Sequence, residues 1–239
     1  MSKAPPKAHA KTSTKKPTKR APRGLTREQA LDLFARLAQD RPDPKTELDY
    51  VNPFTLLLAV ALSAQATDVG VNKATKLLFQ EADTPQKVLA LGEDHVRDRI
   101  KTIGLFRNKA KNAVLMSQQL VVRHGGEVPH DRAALEALAG VGRKTANVVL
   151  NEAFGEETIA VDTHIFRVGN RTGLAPGKNP DEVEARLMKI VPDAYMKGAH
   201  HWLILHGRYV CKARKPECWR CPIEDLCRFK DKTPAPKTD

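Results

Sequence analysis

The 239-residue chain contains no long apolar segment: its longest uninterrupted run is Leu56-Leu57-Leu58-Ala59-Val60-Ala61-Leu62. A membrane-spanning helix needs roughly 20 apolar residues, so this run reads as a buried helix and no membrane partner is expected. The first residues lack the apolar h-region of a secretory signal. Internal repeats are missing, and so is any sustained two-residue alternation of the kind a half-buried strand shows. Cysteine is missing everywhere except at 211, 218, 221 and 227. Without a secretory signal these four read as metal ligands and not as disulfides.

Acidic side chains are absent from residues 1–24, which hold eight Lys or Arg and so supply eight of the twelve net positive charges. Pro5, Pro6, Pro17 and Pro22, with almost no large apolar side chain around them, predict a disordered tail. Such a tail offers salt-sensitive attraction to nucleic acid, or serves only as a solubilising or targeting extension. A cytoplasmic, nucleoid-associated location is expected.

What the body does contain is helix after helix. Thr26 with Gln29 reads as a capping box opening a helix to about residue 39. Further helices are expected at 53–66, 68–80, 85–91, 93–101, 106–123, 132–138, 143–153, 163–171, 180–190 and 196–209, punctuated by Gly104, Gly155, Pro192 and similar breakers. The expected fold class is all-α.

Two stretches carry chemistry. In the first, Asp131 caps a short helix and Gly140-Val141-Gly142 turns the chain into a second helix that begins Arg143-Lys144-Thr145. Two glycines let a backbone approach closely, and the free N–H groups of a helix N-terminus suit a phosphate. Downstream, Asp162 opens the segment Thr163-His164-Ile165-Phe166. On spacing alone the same residues also serve as an ordinary turn, a solvated lysine and a helix cap. The second stretch is the cysteine set, spaced C-x6-C-x2-C-x5-C. Four thiolates suit zinc as well as an iron–sulfur cluster, and the spacing by itself favours zinc. It does not match the ferredoxin runs, which counts against an electron carrier. Lys212, Arg214 and Lys215 fall inside its first loop, where thiolate anchors would present them to a phosphate backbone or where they are simply solvated.

The hairpin, the Val161-Asp162-Thr163-His164 segment and the cysteine cluster, in this order, closely resemble the endonuclease III family of bifunctional DNA glycosylases and apurinic lyases. Leu62 to Asp68, Lys101-Thr102-Ile103-Gly104-Leu105 and His201 to Arg208 extend the likeness over about Leu25 to Lys230. One departure is Ala139, where the hairpin of this family carries proline. The resemblance implies a helix-hairpin-helix glycosylase fold with a six-helix barrel at 46–156, and a second domain built from 25–45 and 157–232. It implies a [4Fe–4S] cluster on Cys211, Cys218, Cys221 and Cys227, with Lys212, Arg214 and Lys215 on DNA. Lys144 is then the nucleophile and Asp162 stabilises the sugar cation; Gln65 and Leu105 fill the space of a flipped nucleotide, and Gly140, Val141, Gly142, Arg143 and Thr145 contact DNA. A desolvated Lys144 with a lowered pKa is expected. The implied partner is damaged double-stranded DNA, bound by a monomer, with oxidised pyrimidines as substrates. A related adenine-mismatch glycosylase would lack Lys144 and carry an extra acid near Val60-Ala61-Leu62; a non-catalytic DNA-binding hairpin would have no need of the Lys144/Asp162 pair.

Overall fold

The computed structural model describes residues 24–237, so the basic tail, apart from Gly24, lies outside the described residues. No strand occurs among them. Ten α-helices follow in order: α1 Arg27–Asp40, α2 Pro53–Leu62, α3 Asp68–Glu81, α4 Pro85–Ile100, α5 Phe106–His124, α6 Arg132–Glu136, α7 Arg143–Phe154, α8 Thr163–Thr172, α9 Pro180–Ile190 and α10 Asp193–Tyr209.

Local chemistry sets the ends of these helices. Thr26 and Gln29 form the reciprocal capping box at α1, each side chain bonding the other's backbone N–H at 3.2 and 3.0 Å. Asn52, Thr67, Thr84, Asp131 and Asn179 cap α2, α3, α4, α6 and α9, and Pro occupies an early position in α2, α4 and α9 where no N–H is required. Gly92, at φ 77°, breaks α4 into the two pieces expected at 85–91 and 93–101. The helix expected at 53–66 stops at Leu62 instead, because Gln65 takes a left-handed φ of 56° that a helix cannot contain.

Buried apolar side chains form two clusters. The first is centred on α2, where Leu56, Leu57, Leu58 and Leu62 are shielded on all sides; this accounts for the unbroken apolar run. It gathers Val71, Leu78, Ile100, Met116, Leu120, Leu135 and Leu150 from α3 to α7. The second joins Leu33, Phe34 and Leu37 of α1 to Ile165, Val168, Leu187 and Leu203 of α8, α9 and α10. Full burial of each such side chain contributes about 1.5–3 kcal/mol, so both clusters are substantial. We propose that they are the cores of the two domains at 46–156 and at 25–45 with 157–232. The hairpin residues Leu138, Val141 and Ala146 belong to the first cluster, whereas α8, which Asp162 opens, packs in the second.

Candidate DNA-processing site and iron–sulfur centre

The hairpin is built by one tight turn. Gly140 adopts φ 77°, and a Cβ there would lie 3.1 Å from the Asn112 side chain, so glycine is needed both for angle and for space. Val141 is buried as an anchor, while Gly142 faces open space with nothing within 4 Å of a Cβ position. Gly142 caps α7 without any side-chain bond, leaving the first N–H groups of α7 for an external acceptor. The departure at Ala139 has a local compensation. Its N–H donates to Gln119 Oε1 at 2.7 Å, a bond that proline could not make.

Lys144 is exposed at the start of α7. The burial expected from sequence is therefore incomplete in the protein on its own. Asp162 caps α8: its Oδ1 accepts from the N–H groups of His164 and Ile165 at 2.9 and 2.8 Å. The cap reading thus holds for one carboxylate oxygen. The second oxygen, Oδ2, takes no part in that cap, and the carboxylate is half-buried. Arg143, expected on DNA, holds a partner in the protein itself: its half-exposed guanidinium forms a two-pronged pair with Glu184 of α9 at 2.7 and 3.2 Å, and these bonds raise its pKa. Thr145 is half-buried in the first turn of α7.

Gln65 and Leu105, 40 residues apart, are brought together. A Cβ on Gly104 would lie 3.8 Å from the Gln65 carbonyl oxygen. Both residues are exposed, Leu105 to 58%, and both hold left-handed backbone angles, 56° and 59°. Leu105 opens α5 without a capping side chain. Lys215 is the third non-glycine residue with positive φ, 50°, among the described residues.

Cys211, Cys218, Cys221 and Cys227 line one cavity with His206, Ile223 and Phe229. Burial, with the three neighbouring thiols, pushes the Cys221 thiol up to about 12, and burial raises Cys227 as well. Thiols this reluctant to ionise need a bound cation to become ligands. Four cysteines around one shared cavity make an all-thiolate donor set, the chemistry by which proteins hold an iron–sulfur cluster. Of the loop cations, Lys212 is paired with Glu217, while Arg214 and Lys215 are exposed.

Sequence reasoning missed the residues that hold this loop. Arg171 donates to the carbonyls of Lys212 and Ala213 at 2.6 and 2.9 Å, approaches Cys211 Sγ at 3.8 Å and stacks 4.6 Å over Phe229. Arg167, one turn earlier, donates to the carbonyls of Cys211 and Gly207 at 2.9 and 2.8 Å. Their i,i+4 spacing in the helix that Asp162 opens was the available signal. His206 is buried with its pKa lowered to about 4 by desolvation, and its Nε2 lies 3.7 Å from Cys221 Sγ. Tyr209, three residues on, is exposed and bonds Glu47 through its hydroxyl.

Comparison with known proteins agrees with this geometry. Residues 58–193 match the model of the HhH-GPD superfamily of base excision DNA repair proteins, and residues 211–227 match the iron–sulfur binding domain of endonuclease III. Endonuclease III of Haemophilus influenzae and that of Escherichia coli are each 59% identical over 208 residues, 87% of this chain and 99% of the relative. A solved trapped endonuclease III–DNA covalent intermediate superposes with a TM-score of 0.81 at 47% identity, covering 85% of this chain and 96% of that one. A thermostable thymine-DNA glycosylase shares the fold, with a TM-score of 0.75 at 23% identity. A turn that leaves a helix N-terminus open, an exposed lysine beside it and a four-cysteine cavity thus sit in a chain that belongs to the endonuclease III family, iron–sulfur DNA glycosylases of base excision repair.

Proposed function

We propose that this glycosylase removes oxidised or ring-saturated pyrimidines from double-stranded DNA and then cleaves the abasic strand on the 3′ side, acting as a monomer in the cytoplasm at the nucleoid. The observation that carries this reading is Lys144, exposed at the uncapped N-terminus of α7 immediately after Gly142. A monofunctional glycosylase would have no use for an amine there. The trapped covalent intermediate of a relative 47% identical to this chain supports the same chemistry.

In this mechanism the target nucleotide leaves the stack, Leu105 wedges into the step and the Gln65 amide faces the orphaned base. Their left-handed backbones support this role, since strain of this kind is retained where surrounding structure enforces it for function. DNA closes over Lys144 and excludes water from around the attacking amine. Lys144 Nζ forms a bond to the sugar C1′ as the glycosidic bond breaks, and the base departs with that electron pair and takes a proton from solvent. Asp162, through Oδ2, stabilises the developing cation and accepts the proton lost by the amine. The C1′–O4′ bond then breaks, O4′ taking its electron pair and the proton held by Asp162 while the Nζ lone pair forms the C1′=N Schiff base; this acidifies the C2′ proton, whose removal breaks the C3′–O bond and expels the 3′ phosphate by β-elimination. The four cysteines hold the iron–sulfur cluster, which supplies structure to the Lys212–Glu217 loop and no chemical step.

A panel of duplexes, each with one lesion, tests the substrate class. Single-turnover incision should be fast for oxidised pyrimidines and abasic sites and at least about 100-fold slower for adenine opposite an oxidised guanine, the discrimination available from a pocket's hydrogen-bond pattern. Equal rates on the adenine mismatch would transfer the chain to the mismatch class.

A further inference from the structure

Arg143 is the one hairpin residue whose surroundings argue against a phosphate. Its guanidinium is gripped by both Glu184 oxygens, and the Glu184 side chain is only 12% exposed. Glu136 of α6 and Asp181 at the start of α9 add to the field on the same group. The fork to Glu184 neutralises much of the charge of a guanidinium that is otherwise half exposed, which weakens its attraction for a phosphate. The pair also joins the two apolar clusters. Arg143 is the first residue of α7 and the neighbour of Lys144. Glu184 stands on α9, whose Val183 and Leu187 share a core with Ile165 and Val168 of α8, the helix Asp162 opens. A Cβ on Gly169 of α8 would lie 3.3 Å from Val183 Cγ1, so α8 and α9 pack without slack. At the other side of the turn, Ala139 is tied to α5 through Gln119. Gly142 offers no capping side chain, so the Arg143–Glu184 fork is the side-chain tether of the first turn of α7.

We propose that Arg143 and Glu184 form a latch between the two halves of the molecule that holds Lys144 in register with Asp162, and that Arg143 is a positioning residue and not a DNA ligand. This rests on the Lys144/Asp162 reading above. Planar two-pronged geometry fixes orientation as well as distance, which a single ammonium contact would not. Reacting groups on two halves of a cleft lose rate steeply when displaced by even an ångström, whereas duplex binding, spread over many contacts, does not.

The test separates rate from binding. Glu184→Gln should lower the single-turnover rate of borohydride trapping on a saturating abasic duplex by about tenfold, while the duplex Kd stays within about twofold and its salt dependence is unchanged. Arg143→Gln should reproduce the loss, and the double variant should be no slower than either single one, because the residues act as a unit. The exchanged pair Arg143→Glu with Glu184→Arg should recover most of the rate at saturation, and its melting temperature checks that the fold is intact. If Arg143→Gln instead weakens binding and reduces the salt slope by about 1 with the saturated rate unchanged, Arg143 is a phosphate ligand and the latch is wrong. An exchanged pair that folds but remains as slow as the single variants would also overturn it. Wild-type protein that yields no adduct would overturn the Lys144 reading, and the latch as stated with it; normal wild-type trapping with unaffected variants would remove the latch alone.

Discussion

Leu105 shows how a single residue can be poorly placed for stability and well placed for work. Leucine prefers the right-handed regions, and a left-handed angle costs roughly 1–2 kcal/mol, yet Leu105 holds φ 59° with its side chain 58% exposed. Leu105→Gly should therefore raise stability by about 1 kcal/mol in urea unfolding, since glycine adopts this angle without penalty. The same variant should excise base from duplex DNA about tenfold more slowly, because the wedge is gone. A variant that is both less stable and fully active would show that Leu105 is packing and not a wedge. Residue by residue, legibility followed chemistry. Gly140 could be placed from its turn, and Asp162 from its cap, because those roles are local. Leu105 and Gln65 were legible only through family likeness, since by type one reads as core and the other as a surface amide. The Arg143–Glu184 pair was hidden because its partners are 41 positions apart and no local pattern links them.

At the scale of elements, helix limits were largely readable where a side chain or glycine ends them, as at Thr26, Gly92 and Gly155, and misread where backbone strain does, as at Gln65. The cysteine loop illustrates the opposite balance. Its four cysteines were plain in the sequence, but the metal type was not, since spacing alone favoured zinc. Its orientation depends on Arg167 and Arg171, which reach it from α8 across 40 or more residues. Removing one ligand should loosen the whole loop. Cys218→Ala should lose the broad visible absorbance of an iron–sulfur protein and bind duplex DNA more weakly, with its salt slope reduced by about 2, one unit for each of Arg214 and Lys215. A colourless wild-type protein with one zinc per chain would contradict the cluster. Unchanged salt dependence in Cys218→Ala would remove the loop from the DNA interface.

For the whole molecule, periodicity foretold an all-helical chain but could not have foretold two apolar clusters, because each gathers helices from distant parts of the sequence: α1 joins α8 to α10 in the second. Charge was more transparent. The tail supplies eight of the twelve net positive charges and none of the site residues, so deleting residues 1–24 should leave single-turnover cleavage on saturating DNA unchanged. Nonspecific duplex binding should lose salt dependence by about 1 per phosphate contact removed. Abolished chemistry at saturation would place the tail in the active site. The central claim, that two helical halves present Lys144 to a flipped sugar opposite Asp162, is tested most directly by borohydride trapping on an abasic-site duplex. The wild-type protein should give a covalent adduct, since a lysine Schiff base is reduced to a stable amine. Lys144→Gln should give neither adduct nor strand cleavage while still binding the duplex through the glycine turn and its free N–H groups. Trapping by Lys144→Gln at the wild-type rate would show that another amine attacks and would contradict the account.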